Sequence, residues 1–253
     1  KKNIKIFYYI SPQVWAWHRS RIPKMARIVN RLIVIFPFEP DVFRNTGLKV
    51  DFVGHPLVDV TRAALSEPAR SLPWTGEPRI ALLPGSRRQE IERILPVLLS
   101  AAALIEKRKP GTYFILASPS PEIADRARAS LAAQADKPAH CEIVVGETRQ
   151  VLRQARAAMV ASGTATIETA LMGCPLIVVY KTSPVTYFFG RLLVKVPHIG
   201  MVNVVAGREL CPELIQDAAT PEALAAALIP LVDDTPERKA MLAGLEQVRD
   251  ALG

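Results

Sequence analysis

Histidine, cysteine and aromatic residues are scarce in this chain, and long apolar runs are missing. Its 253 residues include four histidines and three cysteines, and aromatics make up 6%. Cys141, Cys174 and Cys211 are odd in number, sit among apolar neighbours and lack the paired spacing of a zinc site. They read as reduced structural thiols of a cytosolic protein, so a zinc site is not expected. The longest apolar runs are broken by Pro, Arg or Lys well short of the ~20 residues that a membrane-spanning helix needs. There is no solenoid repeat and no low-complexity tract. An aromatic-basic run or recognition-helix pattern is also missing, and the basic residues are spread along the chain, which argues against a nucleic-acid partner.

What remains is the composition of an ordinary globular protein, 49% apolar and 22% charged, with ample material for a core. The 32 basic residues outnumber the 24 acidic ones, a formal charge of +8, which favours polyanionic partners: nucleotide phosphates, nucleic acid or an anionic membrane surface, among which charge alone does not choose. The chain opens at Lys1-Lys2 and runs at once into Ile4-Lys5-Ile6-Phe7-Tyr8-Tyr9-Ile10. That run reads as a buried strand already inside a sheet, so the sequence is expected to be a fragment whose first strands are missing.

The order of elements is that of an α/β protein. After the first strand the pattern gives a helix over about 20–30, a strand over 32–36, a short helix near 41–45 and a strand over 50–53. From Thr61 to Pro78 the period lapses among Pro68, Pro73, Gly76 and Pro78, which reads as an interdomain linker. Beyond it, strands expected at 79–83, 113–117, 142–145, 158–161 and 176–179 alternate with helices near 90–107, 121–134, 148–156 and 164–172. Strands separated by helices of that length imply right-handed crossovers and a doubly wound parallel sheet, with ligands at the carboxyl ends of its strands. Two amphipathic helices, 221–232 and 237–252, close the chain. The expected division is 1–60 for a first domain, 61–78 for the linker, 79–234 for a second domain and 235–253 for a terminal helix.

Two glycine-bearing junctions fall at the carboxyl edge of the second sheet. In Ser162-Gly163-Thr164 a strand meets a helix whose open N–H groups and dipole can hold phosphate. Gly163 allows close approach, Ser162 and Thr164 add hydroxyls, and Glu168 lies one turn on, suited to the hydroxyls of a ribose. The plainer alternative is a capped helix with a solvated Glu168, although a capping box would place its acid three residues after the cap. In Gly85-Ser86-Arg87 the glycine permits a tight turn, Ser86 can cap or donate, and Arg87 offers a planar fork for two phosphate oxygens. Its alternative is a solvated basic turn in which Gln89-Glu90 simply begin a helix. His55, alone at a strand end, reads as a structural hydrogen-bond partner. Trp15 and Trp17 alternate as strand or loop residues do and read as packing at a ligand edge. The segment from Tyr187 to Val196 mixes large apolar groups with Arg191 and Lys195, and reads equally as a shallow membrane-inserting element or a core helix.

Five segments taken together carry a resemblance. Ser11-Pro12-Gln13-Val14-Trp15-Ala16-Trp17, Gly54-His55-Pro56-Leu57-Val58-Asp59, Leu83-Pro84-Gly85-Ser86-Arg87, Ala161 to Thr169, and Asn203-Val204-Val205-Ala206-Gly207-Arg208-Glu209 resemble, in the same order, the motifs of lipid-A-disaccharide synthases. The resemblance covers essentially the whole chain. It implies two Rossmann-like domains of GT-B type, the first incomplete here and the second a nucleotide-sugar-binding doubly wound sheet. It implies transfer of 2,3-diacylglucosamine from UDP to 2,3-diacylglucosamine 1-phosphate, without a metal or other cofactor. Glu168 would hold the ribose and Ser162, Gly163 and Thr164 the diphosphate, with Gly85, Ser86 and Arg87 facing them. Arg87 would stabilise charge on departing UDP, and Asn203, Arg208 and Glu209 would close over the donor.

The family's general base lies upstream of the tryptophan motif, so the chain as given is expected to bind UDP yet turn over poorly. The resemblance also implies a cytoplasmic enzyme, peripheral on the inner face of a Gram-negative inner membrane, and a homodimer with exchanged terminal helices as one arrangement. Two other classes stay open: a different UDP-sugar enzyme of this architecture, such as a UDP-N-acetylglucosamine epimerase, and a basic nucleic-acid binder.

Overall fold

The computed structural model describes residues 4–183, 187 and 196–253. A three-stranded parallel sheet is built from β1 (Phe7–Tyr9), β2 (Arg31–Val34) and β3 (Lys49–Phe52), in that spatial order. Helix α1 (Ile22–Ile28), short helix α2 (Glu39–Phe43) and α3 (Pro56–Ser66) follow the strands in turn. Val14, Ile22, Val29, Leu32, Val34 and Phe43 form the small core on one side of this sheet. Among the described residues strand β1 lies at the edge of its sheet, all three of its residues are exposed, and Phe7 is 62% accessible. Its apolar residues meet no second layer among the described residues.

The larger unit is a six-stranded parallel sheet of β4 (Arg79–Leu83), β5 (Tyr113–Ser118), β6 (Cys141–Val145), β7 (Ala157–Ala161), β8 (Leu176–Tyr180) and β9 (Glu213–Ile215). Its spatial order is β6-β5-β4-β7-β8-β9. The chain winds outward from β4 through β5 and β6, then crosses back to continue through β7, β8 and β9 on the other side. The β4/β7 seam is therefore the topological switch point, where ligands of doubly wound sheets bind.

The crossovers are α4 (Arg88–Arg108), α5 (Pro121–Ala133), α6 (Thr148–Gln154), α7 (Thr164–Leu171) and α8 (Met201–Ala206); α9 (Pro221–Val232) and α10 (Pro236–Leu252) complete the layers. Helix α4 buries Ile91, Ile94, Leu95, Leu98, Leu99, Ala102 and Ile105, a stripe at three- and four-residue intervals that lies on the sheet. Three helix starts share one local recipe. Ser120, Thr220 and Thr235 each accept an N–H from three residues on, and a proline occupies the first helical position.

The expected linker is shorter than its sequence pattern. Residues 61–66 continue α3, because Thr61 is buried and its hydroxyl donates to the Leu57 carbonyl at 2.7 Å. The extended part, 67–78, is tied to α6: Gln150 Oε1 accepts from Arg70 N at 3.2 Å, and Gln154 Nε2 donates to Arg70 O at 2.9 Å. The terminal helix α10 ends against the first unit, where Leu252 O accepts from His55 N at 2.8 Å. One continuous core joins Trp15, Ile35, Phe36 and Val58 of the first unit to the second. Of the stretch 187–196 weighed as a membrane element, residues 188–195 lie outside the described residues. Among the described residues no helix is long and apolar enough to cross a membrane.

Candidate functional site

Parallel pairing of β4 with β7 puts Leu83 opposite Val160, so the two glycine junctions emerge side by side at the switch point. They are built differently.

At the β7–α7 junction, Gly163 adopts φ +139°, a backbone that side-chain-bearing residues rarely take, and a Cβ there would meet nothing within 4 Å. Gly163, the N-cap of α7, offers no capping side chain; Thr166 N donates to Gly163 O at 3.1 Å, and the Thr164 and Ala165 N–H groups have no hydrogen-bond partner among the described residues. Ser162 Oγ donates to Ile199 O at 2.9 Å and keeps its lone pairs. Thr164 is exposed. Glu168 is not solvated: only 17% of its side chain is accessible, and Arg149 of α6 holds it through an Nε–Oε1 contact of 2.8 Å.

At the β4–α4 junction, Glu90 folds back beneath the turn. Its Oε2 accepts from Ser86 N at 2.8 Å and from Arg87 N at 3.1 Å. A Cβ on Gly85, whose φ is +115°, would lie 2.3 Å from that oxygen. Glu90 thus takes the Ser86 and Arg87 N–H groups, while Gly85 makes the tight turn expected of it and Ser86 is exposed. The Arg87 guanidinium is different. It makes a 3.3 Å contact with Glu90 Oε1 and remains 83% exposed at the crevice.

The Asn203–Glu209 segment is corrected more fully. The Asn203 side chain is buried and saturated: Nδ2 donates to Cys211 O at 2.7 Å and Glu213 Oε1 at 2.8 Å, and Oδ1 accepts from Leu210 N and Cys211 N at 2.9 Å each. It braces the turn into β9 and leaves no atom for a ligand. Glu213 completes the brace by accepting from Ile199 N and Gly200 N at 3.0 Å. Arg208 lines a separate cavity of about 250 Å³ with Leu210 and the α9–α10 residues Leu231, Glu237 and Met241, within 3.5 Å of Gln247 Oε1. Glu209 is exposed beside it. The structure brings neither residue to the switch-point junctions, because α8 ends at Gly207 and the chain turns toward α10.

Two cavities flank Ser162–Glu168. One, of about 630 Å³, is lined by Glu168, Arg149, Gly146, Glu147 and Thr148, with Arg70 opposite. The other, of about 750 Å³, lies between Gln13–Trp17 and β8, β9 and α8, with Ser162 and His198 on its wall. Trp15 and Trp17 thus stand at the ligand edge; Trp15 is buried with its ring edge-on to Phe38 at 5.0 Å, while Trp17 is 48% accessible.

His55 caps α3 by accepting from Leu57 N at 3.2 Å, and burial lowers its pKa, favouring the neutral imidazole. Glu39 went unnoticed in the sequence: it is buried, and burial pushes its carboxyl up while the Phe36 and Ile35 N–H groups pull it back. Burial pushes the Cys141 and Cys174 thiols up to about 12 and Cys211 further in the same direction, so none is a ready nucleophile. Among the described residues no cluster of three or more His, Cys, Asp or Glu could hold a metal ion.

Comparison with known proteins follows the same lines. The chain matches the lipid-A-disaccharide synthetase family over residues 1–253. It belongs to this family. A lipid-A-disaccharide synthase of Syntrophus aciditrophicus is 44% identical over 257 residues, covering 100% of this chain and 66% of that protein. The chain spans 66% of the length of the curated relatives it matches. Among solved structures, a UDP-N-acetylglucosamine 2-epimerase superposes with a TM-score of 0.54 at 14% identity, covering 88% of this chain and 57% of that one. A trehalose-6-phosphate synthase gives 0.56 at 10% identity, over 98% and 64%. These likenesses establish the Rossmann-like GT-B architecture for the family member described here; the epimerase shares the fold only.

Proposed function

We propose that this chain carries the nucleotide-sugar site of a lipid-A-disaccharide synthase, which transfers 2,3-diacylglucosamine from UDP to 2,3-diacylglucosamine 1-phosphate and releases UDP. The observation that carries the reading is the uncapped start of α7 at the switch point, with exposed Arg87 on the neighbouring strand end and Glu168 one turn along.

The chemistry is a displacement at the anomeric carbon. The acceptor hydroxyl gives its proton to a general base, which the family resemblance places upstream of the tryptophan motif, and its oxygen forms the new C–O bond; the bond to the diphosphate breaks, and the electron pair leaves with UDP. Charge then builds on the β-phosphate. The α7 N-terminus and the Arg87 guanidinium meet that charge from two sides without rearranging, and pre-placed donors of this kind favour the transition state over the ground state. Glu168, fixed by Arg149, accepts from the ribose hydroxyls. Asn203 acts at one remove, by bracing the loop that touches Ser162. Membership of the family and the surplus of 32 basic over 24 acidic residues support work at an anionic membrane surface on the inner face of the inner membrane. The family resemblance supports a homodimer as part of the same proposal.

Calorimetric titration with UDP tests the site. The parent chain binds, and Arg87→Ala and Glu168→Ala each weaken binding by about 10- to 100-fold, the range for one hydrogen bond to a charged group. Unchanged affinity in both variants overturns the assignment.

A further inference from the structure

Basic residues occur throughout the chain, but their surplus does not. Of the 32 lysines and arginines, eight lie within residues 1–38, where there is no aspartate or glutamate; the other 24 are matched by the 24 acids of the rest. The described part of this surplus is concentrated just after the tryptophan segment. His18, Arg21 and Lys24 recur at three-residue spacing through the 3₁₀ turn Arg19–Arg21 and the start of α1, which places each beside the next on one face. All three are exposed, while Ile22 between them is buried.

These cations have no acid to neutralise them. Arg31, Arg62 and Arg88 each pair with a nearby carboxylate. No ion pair among the described residues includes Arg19, Arg21 or Lys24. Arg19 Nε donates to Trp15 O at 3.2 Å, which ties the cluster to the cavity wall and leaves the Nη donors unspent. His18 takes a left-handed φ of +62°, uncommon away from glycine, where the chain leaves that wall for the cationic run.

Position gives the cluster a task. Gln13–Trp17 and the nucleotide junction at Ser162 share the cavity of about 750 Å³ between the two units, and the acceptor of a sugar transfer approaches from the wall opposite the nucleotide. That acceptor is a hexosamine 1-phosphate in the function proposed above, and a phosphomonoester carries about −1.5 to −2 charges at neutral pH. Arg87 and the α7 N-terminus are engaged by UDP, and Arg149 is paired with Glu168, so the acceptor phosphate needs cations of its own.

We propose that Arg19, Arg21 and Lys24, with His18 beside them, bind the phosphomonoester of the acceptor and so fix which end of its sugar points toward the donor. The inference rests on the nucleotide-sugar reading and adds a site for the second substrate. Arginine presents a planar fork to two phosphate oxygens, and the exposed setting leaves the phosphate partly hydrated, which spares the cost of burying its charge.

The test is calorimetric, on the full chain saturated with UDP. Its probes are a short-chain, monomeric 2,3-diacylglucosamine 1-phosphate and the same sugar without its phosphate; a parallel arm measures sedimentation with equimolar phosphatidylcholine–phosphatidylglycerol vesicles. The parent is expected to prefer the phosphorylated sugar by at least about tenfold. Arg21→Ala combined with Lys24→Ala is expected to cut that preference to about threefold or less, with affinity for UDP and for the unphosphorylated sugar kept within about twofold. Both side chains are exposed, and Arg19 is left in place because it holds Trp15 O, so the variant keeps its fold. Lys107→Ala, which removes an exposed cation from α4, is expected to leave the preference unchanged. Equal affinity of the parent for the two sugars overturns the inference, as does an equal loss in Lys107→Ala, the mark of a general charge effect. Loss of vesicle binding with an undiminished phosphate preference assigns the cluster to lipid headgroups and overturns it too. Each of these failures with UDP still bound leaves the nucleotide-sugar reading standing, whereas no UDP binding by the parent sinks that reading and the inference with it.

Discussion

The two strand–helix junctions at the switch point share a glycine in a left-handed or extended-positive backbone, an adjacent serine and an arginine–glutamate pair, yet one is filled and the other open. At β4–α4 the glutamate is local: Glu90 turns back under Gly85 and takes the Ser86 and Arg87 N–H groups. At β7–α7 the glutamate is held by an arginine from another helix, Arg149, and the Thr164 and Ala165 N–H groups stay open. The same ingredients thus give a rigid mount for one cationic side chain in the first case and a backbone anion site in the second. What decides between them is where the acid sits: three residues after the N-cap it closes the turn, and five residues after Gly163 it cannot reach.

The largest effect that can break this comparison is at the glycines. Gly85→Ala puts a methyl 2.3 Å from Glu90 Oε2 in a strained backbone. A loss of about 3 kcal/mol in denaturant-measured stability is expected, with little change in intrinsic UDP affinity for the fraction that folds. Gly163→Ala has open space around its methyl. It is expected to lose only about 1–2 kcal/mol of stability while weakening UDP. Equal stability losses would show that Glu90 does not fill the first turn.

Glu90→Ala sharpens the contrast. Removing the cap is expected to lower stability by about 1 kcal/mol, yet UDP affinity should hold or rise, because a carboxylate leaves the neighbourhood of the phosphate. Weaker UDP binding in this folded variant would make Glu90 part of the ligand site. Arg149→Ala is the smallest change. It frees Glu168 from a partly exposed ion pair, for which about 0.5–1 kcal/mol is the usual scale, so the UDP dissociation constant should rise about two- to fivefold. The loss should shrink when UDP lacks its ribose hydroxyls; an undiminished loss would mean that Arg149 acts on the phosphates instead.

The sequence made the second unit legible because its strands are apolar and its crossovers periodic: Arg79–Leu83 and Pro221–Val232 lie where the pattern places them. It was silent where a short element draws its stability from partners far along the chain. The three residues of β9 are too few for a period, and they are set by the Glu213 bonds to Ile199, Gly200 and Asn203.

At the site, Ser162–Glu168 and Arg87 were visible as residue types at a strand end. The Glu90 closure was hidden because the spacing of a capping box is there, from Arg87 to Glu90, but arginine replaces the usual small N-cap. The Arg149–Glu168 pair spans 19 residues and two elements, a separation that no local pattern reports. Asn203 was named only through the family resemblance, and the fold shows that its polarity is spent internally.

Backbone amide shifts recorded while UDP is titrated into the isotopically labelled chain test the open-and-filled account most directly. The account predicts that the Gly163, Thr164 and Ala165 amides move with saturating, stoichiometric binding while Ser86 N–H, held by Glu90, stays in place. Large shifts at Ser86 and Arg87 with Thr164 and Ala165 unmoved would contradict it.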